Sequence, residues 1–144
     1  DDDNYNWGYD PELYFNVEGS YSTNPYKIKR RIYEFKEMVN KIHENGMNVV
    51  MDVVYNHTFK TIDSNLEILA PNYYHRKNYD GNFSNGSGVG NELASEKAFV
   101  RKLIIDSLKH WVNEYDIDGF RFDLMALIDI DTIKIAIKEL KKIN

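Results

Sequence analysis

The chain has no cysteine, which excludes disulfides and thiolate metal sites but does not separate cytosol from exterior. It has no basic excess either: 18 Lys and Arg against 23 Asp and Glu leave a net charge of −5, with the signs mixed along the chain. The basic stripe that nucleic-acid binding needs is missing, so nucleic acid is not an expected partner. No apolar run approaches the ~18 residues of a membrane span, and Asp1-Asp2-Asp3-Asn4 is the opposite of a signal peptide. A membrane is therefore not an expected partner, and the beginning reads as mid-protein sequence.

What the chain does have is aromatic residues. They make up 14% of it and include eleven tyrosines, many in segments rich in Asn, Gly and Ser. Polar loops lined with tyrosine suit sugar rings, whose apolar faces stack on aromatics while their hydroxyls seek Asn and Asp. Carbohydrate is the expected partner class, with interfacial packing as the competing role for these tyrosines.

Periodicity divides the 144 residues into alternating elements. Residues 1–26 show no period and contain Gly8, Pro11, Gly19 and Pro25, so they read as a loop. Ile28, Ile32, Phe35, Val39 and Ile42 form one stripe, which predicts a helix over 27–45 stopped by Gly46. Val49, Val50, Met51, Val53 and Val54 predict a strand over 47–55, covered on both faces as in a parallel sheet, with Asp52 inside it. Residues 56–94 lack periodicity, a length that in a compact domain marks a functional connection.

Ser95 reads as the cap of a helix striped by Val100, Leu103, Ile104, Leu108, Trp111, Val112 and Tyr115. A short strand over 118–124 follows, and Asp131 precedes a last helix with Ile133, Ala136, Ile137 and Leu140. This order is that of a parallel α/β protein. Two parallel strands cannot cover their own faces and edges, so the chain is expected to be a piece of a larger barrel or sheet.

The chemistry gathers at the ends of the two strands. Arg121 and Asp123 lie two apart and share a face, with Phe120, Phe122 and Leu124 expected on the other. A neighbouring guanidinium keeps a carboxylate ionised, as a nucleophile or metal ligand requires. Taken alone, the pair reads equally as a structural ion pair. The first strand brings Asp52 and Asn56 on one parity, with His57 at the loop entrance. In α/β barrels the active site sits where strands end, and Asp, Asn, His, Arg and Asp at one end of a sheet are hard to obtain from packing alone.

Asp52-Val53-Val54-Tyr55-Asn56-His57 and Gly119-Phe120-Arg121-Phe122-Asp123 resemble the first and second signatures of the alpha-amylase family of glycosidases. Residues 5–11 (Tyr-Asn-Trp-Gly-Tyr-Asp-Pro), 19–26 and 85–96 resemble type I pullulanases, which cleave α-1,6 bonds. Val89 departs from that pattern, since pullulanases often have Cys there.

The resemblance implies a (β/α)8 TIM barrel, with 47–55 and 118–124 as its third and fourth strands and 1–144 as a fragment of one catalytic domain, incomplete at both ends. It also implies a retaining mechanism on a branched α-glucan, in which an Asp forms the covalent intermediate and a separate Glu acts as acid and base. By motif match Asp123 is the nucleophile and Arg121 holds it. His57 and Tyr9 then meet the sugar beside the scissile bond, with Trp7, Asn56 and Met125 as further substrate contacts and Asp52 as a structural carboxylate.

The counterpart of Asn56 ligates calcium in many amylases, so Asn56 reads as either a calcium ligand or a structural amide. The remaining partner is the rest of the same barrel, which holds the acid/base Glu and a second essential Asp. The fragment alone is therefore expected to be inactive. The competing readings are an α-1,4-acting amylase, an isoamylase-like enzyme and a catalytically dead glucan-binding protein.

Overall fold

The computed structural model describes residues 7–143. Tyr5 and Asn6, the first two residues of the 5–11 motif, lie outside them, as do residues 1–4. Helix α1 spans Ile28–Glu44, strand β1 Val50–Val53, a short helix α2 Asn65–Leu69, helix α3 Ala98–Tyr115, strand β2 Gly119–Phe122 and helix α4 Ile130–Leu140. A 3-10 turn over Met125–Leu127 joins β2 to α4. The strands pair in parallel, with Val50 opposite Gly119, Met51 opposite Phe120, Asp52 opposite Arg121 and Val53 opposite Phe122.

Two apolar clusters hold this arrangement. In one, Val53 and Tyr55 at the end of β1 meet Val100, Ile104 and Leu108 of α3 and Ala136 of α4. In the other, Val39 of α1 meets Trp111, Tyr115 and Ile117. Met51 and Phe120 pack on both, so the helices lie against the face of the sheet that carries them. The opposite face carries Val50, Asp52 and Arg121, and Val50 is 63% exposed. The strand expected to be covered on both faces is thus covered on one within this chain.

The helix stripes follow the sequence pattern, and their ends show where local chemistry was decided by tertiary contacts. Helix α1 stops as expected: Gly46 takes φ +73, and its N–H donates to the His43 carbonyl at 2.8 Å. Ser95, expected to cap α3, does not. The cap position is Lys97, and the Ser95 hydroxyl instead accepts the Asp129 N–H at 2.8 Å while its carbonyl accepts from Thr132. Asp131 is likewise not the cap of α4, because Asp129 is, accepting the Thr132 N–H at 3.0 Å. Ile137 and Leu124, expected to be packed, are exposed. Leu124 takes a left-handed φ of 45, which turns it out of the strand's alternation.

Residues 56–94 are not structureless. Beyond α2, capped by Ser64, they form antiparallel bridges between His75 and Leu93 and between Lys77 and Phe83. The tyrosines divide between the two roles weighed for them. Tyr14, Tyr55 and Tyr115 are buried and Tyr73 and Tyr74 pack against the core, whereas Tyr21, Tyr26 and Tyr79 are exposed. The loop before α1 is pinned rather than loose: Ser107 and Trp111 both donate to the Tyr14 carbonyl, at 2.6 and 3.0 Å, and Tyr14 stacks on Tyr55. No described helix is long and apolar enough to cross a membrane.

Candidate active site

The register of the two strands sets the first contact of the site. Asp52 stands opposite Arg121, and Arg121 Nη1 donates to both Asp52 oxygens at 2.8 Å. The same nitrogen lies 3.3 Å from Asp123 Oδ1. Arg121 therefore bridges two carboxylates and sits closer to Asp52 than to the neighbour on its own strand. Tyr9, from the pinned loop, donates its hydroxyl to Asp52 Oδ2 at 2.9 Å. That bond to a carboxylate raises the Tyr9 pKa, and the Asp52 hydrogen bond likewise raises that of Arg121. The Arg121 side chain is 55% exposed and that of Asp52 42%, so water screens the pair, and its role is geometric more than stabilising.

Asp123 follows β2 directly. Its N–H donates to the Val53 carbonyl at 3.0 Å and its carbonyl accepts from Asn56 Nδ2 at 2.9 Å, which ties the two strand ends together. Its side chain is 24% exposed, open enough to meet a ligand. Asn56 is buried, and its Oδ1 lies 2.5 Å from His57 Nδ1. His57 Nε2 faces the Tyr9 carbonyl at 2.9 Å. Burial lowers the His57 pKa, against the opposing pull of the Tyr9 carbonyl, Asp10 and Asp123.

Tyr9, Asp52, Asn56, His57, Arg121 and Asp123 thus form one connected group at the carboxyl end of the sheet. Trp7 and Met125 are exposed, and no described polar contact joins them to it. Both ends of the Asn56 amide are engaged by protein groups, and no cluster of three or more His, Asp or Glu suited to a metal occurs among the described residues. In this arrangement the Asn56 amide links Asp123 to His57.

Residues 1–80 match the family model described as the alpha-amylase catalytic domain. The chain belongs to the alpha-amylase family. A pullulanase from Bacillus subtilis (strain 168) is 47% identical over 131 residues, which cover 91% of this chain and 18% of that protein. Pullulanase A from Streptococcus pneumoniae serotype 4 is 45% identical over 141 residues, 98% of this chain and 11% of the relative. Among solved structures, the pullulanase from Paenibacillus barengoltzii in complex with maltohexaose and alpha-cyclodextrin superposes with a TM-score of 0.96 at 50% identity, covering 97% of this chain and 22% of that one. The resemblance to pullulanases read from the motifs is borne out, while the chain spans about a fifth or less of these relatives' length.

In this alpha-amylase family chain the connection after β1 carries polar residues whose roles sequence reasoning missed. Arg76 donates to Glu92 at 2.5 Å, to Glu96 at 2.8 Å and to the Leu127 carbonyl at 3.3 Å, so it reaches the turn just after Asp123. Glu92 also accepts from the Ser84 hydroxyl at 2.8 Å and from the Gly86 N–H. A side chain on Gly86 would collide with that carboxylate, which explains one glycine of the run. The only signal in the sequence was the run of glycines, which marks close backbone approach without naming the partner.

Burial acts to raise the Glu92 pKa, but Ser84, Gly86 and Arg76 outweigh it and hold the carboxyl below its ordinary value. The unfolded chain takes up that proton at higher pH than the folded one. The stabilisation is therefore complete above the ordinary Glu value of about 4.3 and is lost as pH falls through the lower folded value. In the full-length protein, hydrogen exchange at the Gly86 amide is expected to show full protection above that range and loss of protection below it. Protection unchanged down to about pH 2 would show that Glu92 does not hold the turn.

Proposed function

We propose that the protein containing this chain is a glycoside hydrolase that cleaves α-1,6 branch linkages in pullulan, limit dextrins, starch or glycogen. The observation that carries this reading is Arg121 bridging Asp52 and Asp123 at the carboxyl ends of two parallel strands, with Tyr9 and His57 tied to the same end. Pullulanase relatives, one of them bound to maltohexaose and alpha-cyclodextrin, support the glucan as substrate. The two strands are assigned as the third and fourth of a (β/α)8 barrel of which residues 1–144 form part. The uncovered sheet face with Val50, Asp52 and Arg121 then points into the barrel.

In this reading Asp123 attacks the anomeric carbon as the leaving oxygen takes a proton from an acid outside these residues, and water later releases the sugar from the carboxylate. The carboxylate is presented by a backbone fixed at both its N–H and its carbonyl, so attack needs little reorganisation. Asp52 takes the shorter Arg121 contacts, which leaves Asp123 a near cation without a tight bidentate bond to give up before attack. Tyr9 is oriented by Asp52 to lie under the sugar, and His57, held by Asn56 at Nδ1, meets a sugar hydroxyl when that hydroxyl takes the place of the Tyr9 carbonyl on Nε2. Trp7 and Met125 are assigned as outer substrate contacts, as their exposure allows.

The full-length protein is expected to release linear maltooligosaccharides from pullulan and to leave amylose nearly untouched, as measured by reducing-end assay. Faster cleavage of amylose would overturn the α-1,6 assignment, and glucan binding without cleavage would favour a catalytically dead binding protein.

A further inference from the structure

His57 leaves β1 in a stretch whose backbone is held by the connection that returns to α3 and by the loop before α1. The Asn56 carbonyl accepts the Leu93 N–H at 2.9 Å, and the His57 carbonyl accepts the Tyr14 hydroxyl at 2.8 Å. Thr58 is held by a side chain instead of a strand. Its N–H donates to Asn91 Oδ1 at 2.9 Å, and its carbonyl accepts from Asn91 Nδ2 at 2.8 Å. One amide thus takes both backbone groups of Thr58, as a neighbouring strand would. The Thr58 hydroxyl lies 2.8 Å from His75 Nε2, and His75 Nδ1 lies 3.0 Å from Glu67 Oε2. Glu67 Oε1 in turn accepts the Asn72 N–H at 2.6 Å. Thr58, Glu67, His75 and Asn91 are all buried, the last two completely.

A buried polar network of this kind is a poor way to gain stability, since well-packed apolar residues of similar volume often do as well or better. What a fully satisfied network provides is a single position for the atoms it holds. The atoms held here lead directly into His57, whose ring must face the site while the chain turns away from β1.

We infer that Asn91 and His75 are positioning residues for His57, acting through the backbone and hydroxyl of Thr58. This rests on the functional reading above. Neither residue touches the site; together they set where the His57 ring can be. The Asn91→Asp variant keeps the acceptor for the Thr58 N–H but loses the donor to its carbonyl and places two oxygens against each other. The His75→Gln variant keeps polarity but cannot span from Thr58 to Glu67 with the same geometry. Each should let residues 57–58 shift while the apolar clusters stay intact.

The test is a pair of double-mutant cycles in the full-length protein, with turnover on pullulan and the dissociation constant for maltotriose as readouts. Alone, Asn91→Asp is expected to lower kcat by about 100-fold, the loss that a misplacement of ~1 Å produces, with a much smaller weakening of maltotriose binding. In a His57→Ala background the same substitution is expected to change kcat by no more than about 2-fold, because the residue being positioned is gone. The His75→Gln variant should behave alike with a smaller loss.

Losses that multiply with that of His57→Ala, or an unchanged kcat, would overturn the assignment. So would loss of the fold in both variants, which would make the clamp structural only. An inactive wild-type protein would instead overturn the functional reading, and this inference with it.

Discussion

Replacing Asp123 with Asn in the full-length protein is expected to abolish turnover while leaving substrate binding nearly intact. The amide has almost the volume of the carboxylate and still accepts a hydrogen bond through its oxygen. The groups that fix this residue are backbone groups, the N–H on Val53 and the carbonyl on Asn56, and neither changes. Arg121 is not stranded, because both Asp52 oxygens remain within 2.8 Å of it. Stability should therefore move little. Nucleophilicity should move greatly, since an amide oxygen does not form the glycosyl ester that the retaining route needs.

The expected pattern is a loss of several orders of magnitude in kcat with an unchanged dissociation constant for a branched oligosaccharide, as for an interaction made only in the transition state. A variant that kept more than about a tenth of wild-type kcat, a loss below roughly 1.4 kcal/mol, would remove Asp123 from the nucleophile's role.

The second large effect concerns the 144-residue chain produced alone. It is expected to show no sharp thermal transition and to sediment as associated material. Among the described residues its sheet has two strands, so each strand keeps an unpaired edge there. One sheet face is open, and Ile28, Tyr33, Met38, Met47 and Val50 are all exposed. Patches of that kind drive association in water. A cooperative transition with a monomeric mass would show that the two apolar clusters suffice to hold this chain.

How much of this was legible from residues alone depends on whether the deciding interaction is local. The stripes of α1 and α3 and the valine run of β1 were readable because burial on one face leaves a period in the sequence. The helix starts were not. Ser95 is drawn away from the start of α3 by the Asp129 N–H, and Asp129 caps α4 through the Thr132 N–H while Asp131 lies in its first turn. The sequence pairs Arg121 with Asp123, and the structure adds a shorter contact to Asp52. Arg121 and Asp123 are neighbours in sequence, whereas the tighter Arg121 to Asp52 contact follows from strand register, which no single strand records. The clamp of Asn91 and His75 was invisible because buried polar partners in a loop follow no period.

The anchoring of Tyr14 has a consequence for where the chain tolerates a change of length. Tyr14 is fastened to Tyr55, Ser107 and Trp111, and only four residues separate it from Tyr9, which must reach Asp52. An inserted residue between them would lift Tyr9 off the carboxylate, since the anchor behind it does not slide. The turn at 78–82 is the opposite case. It is closed by the Asn78 N–H on the Asn82 carbonyl and the Gly81 N–H on the Asn78 carbonyl, and it projects Tyr79 into solvent. Grafted peptides belong at that turn, and the segment before Tyr14 is a measured spacer that sequence drift should leave at constant length.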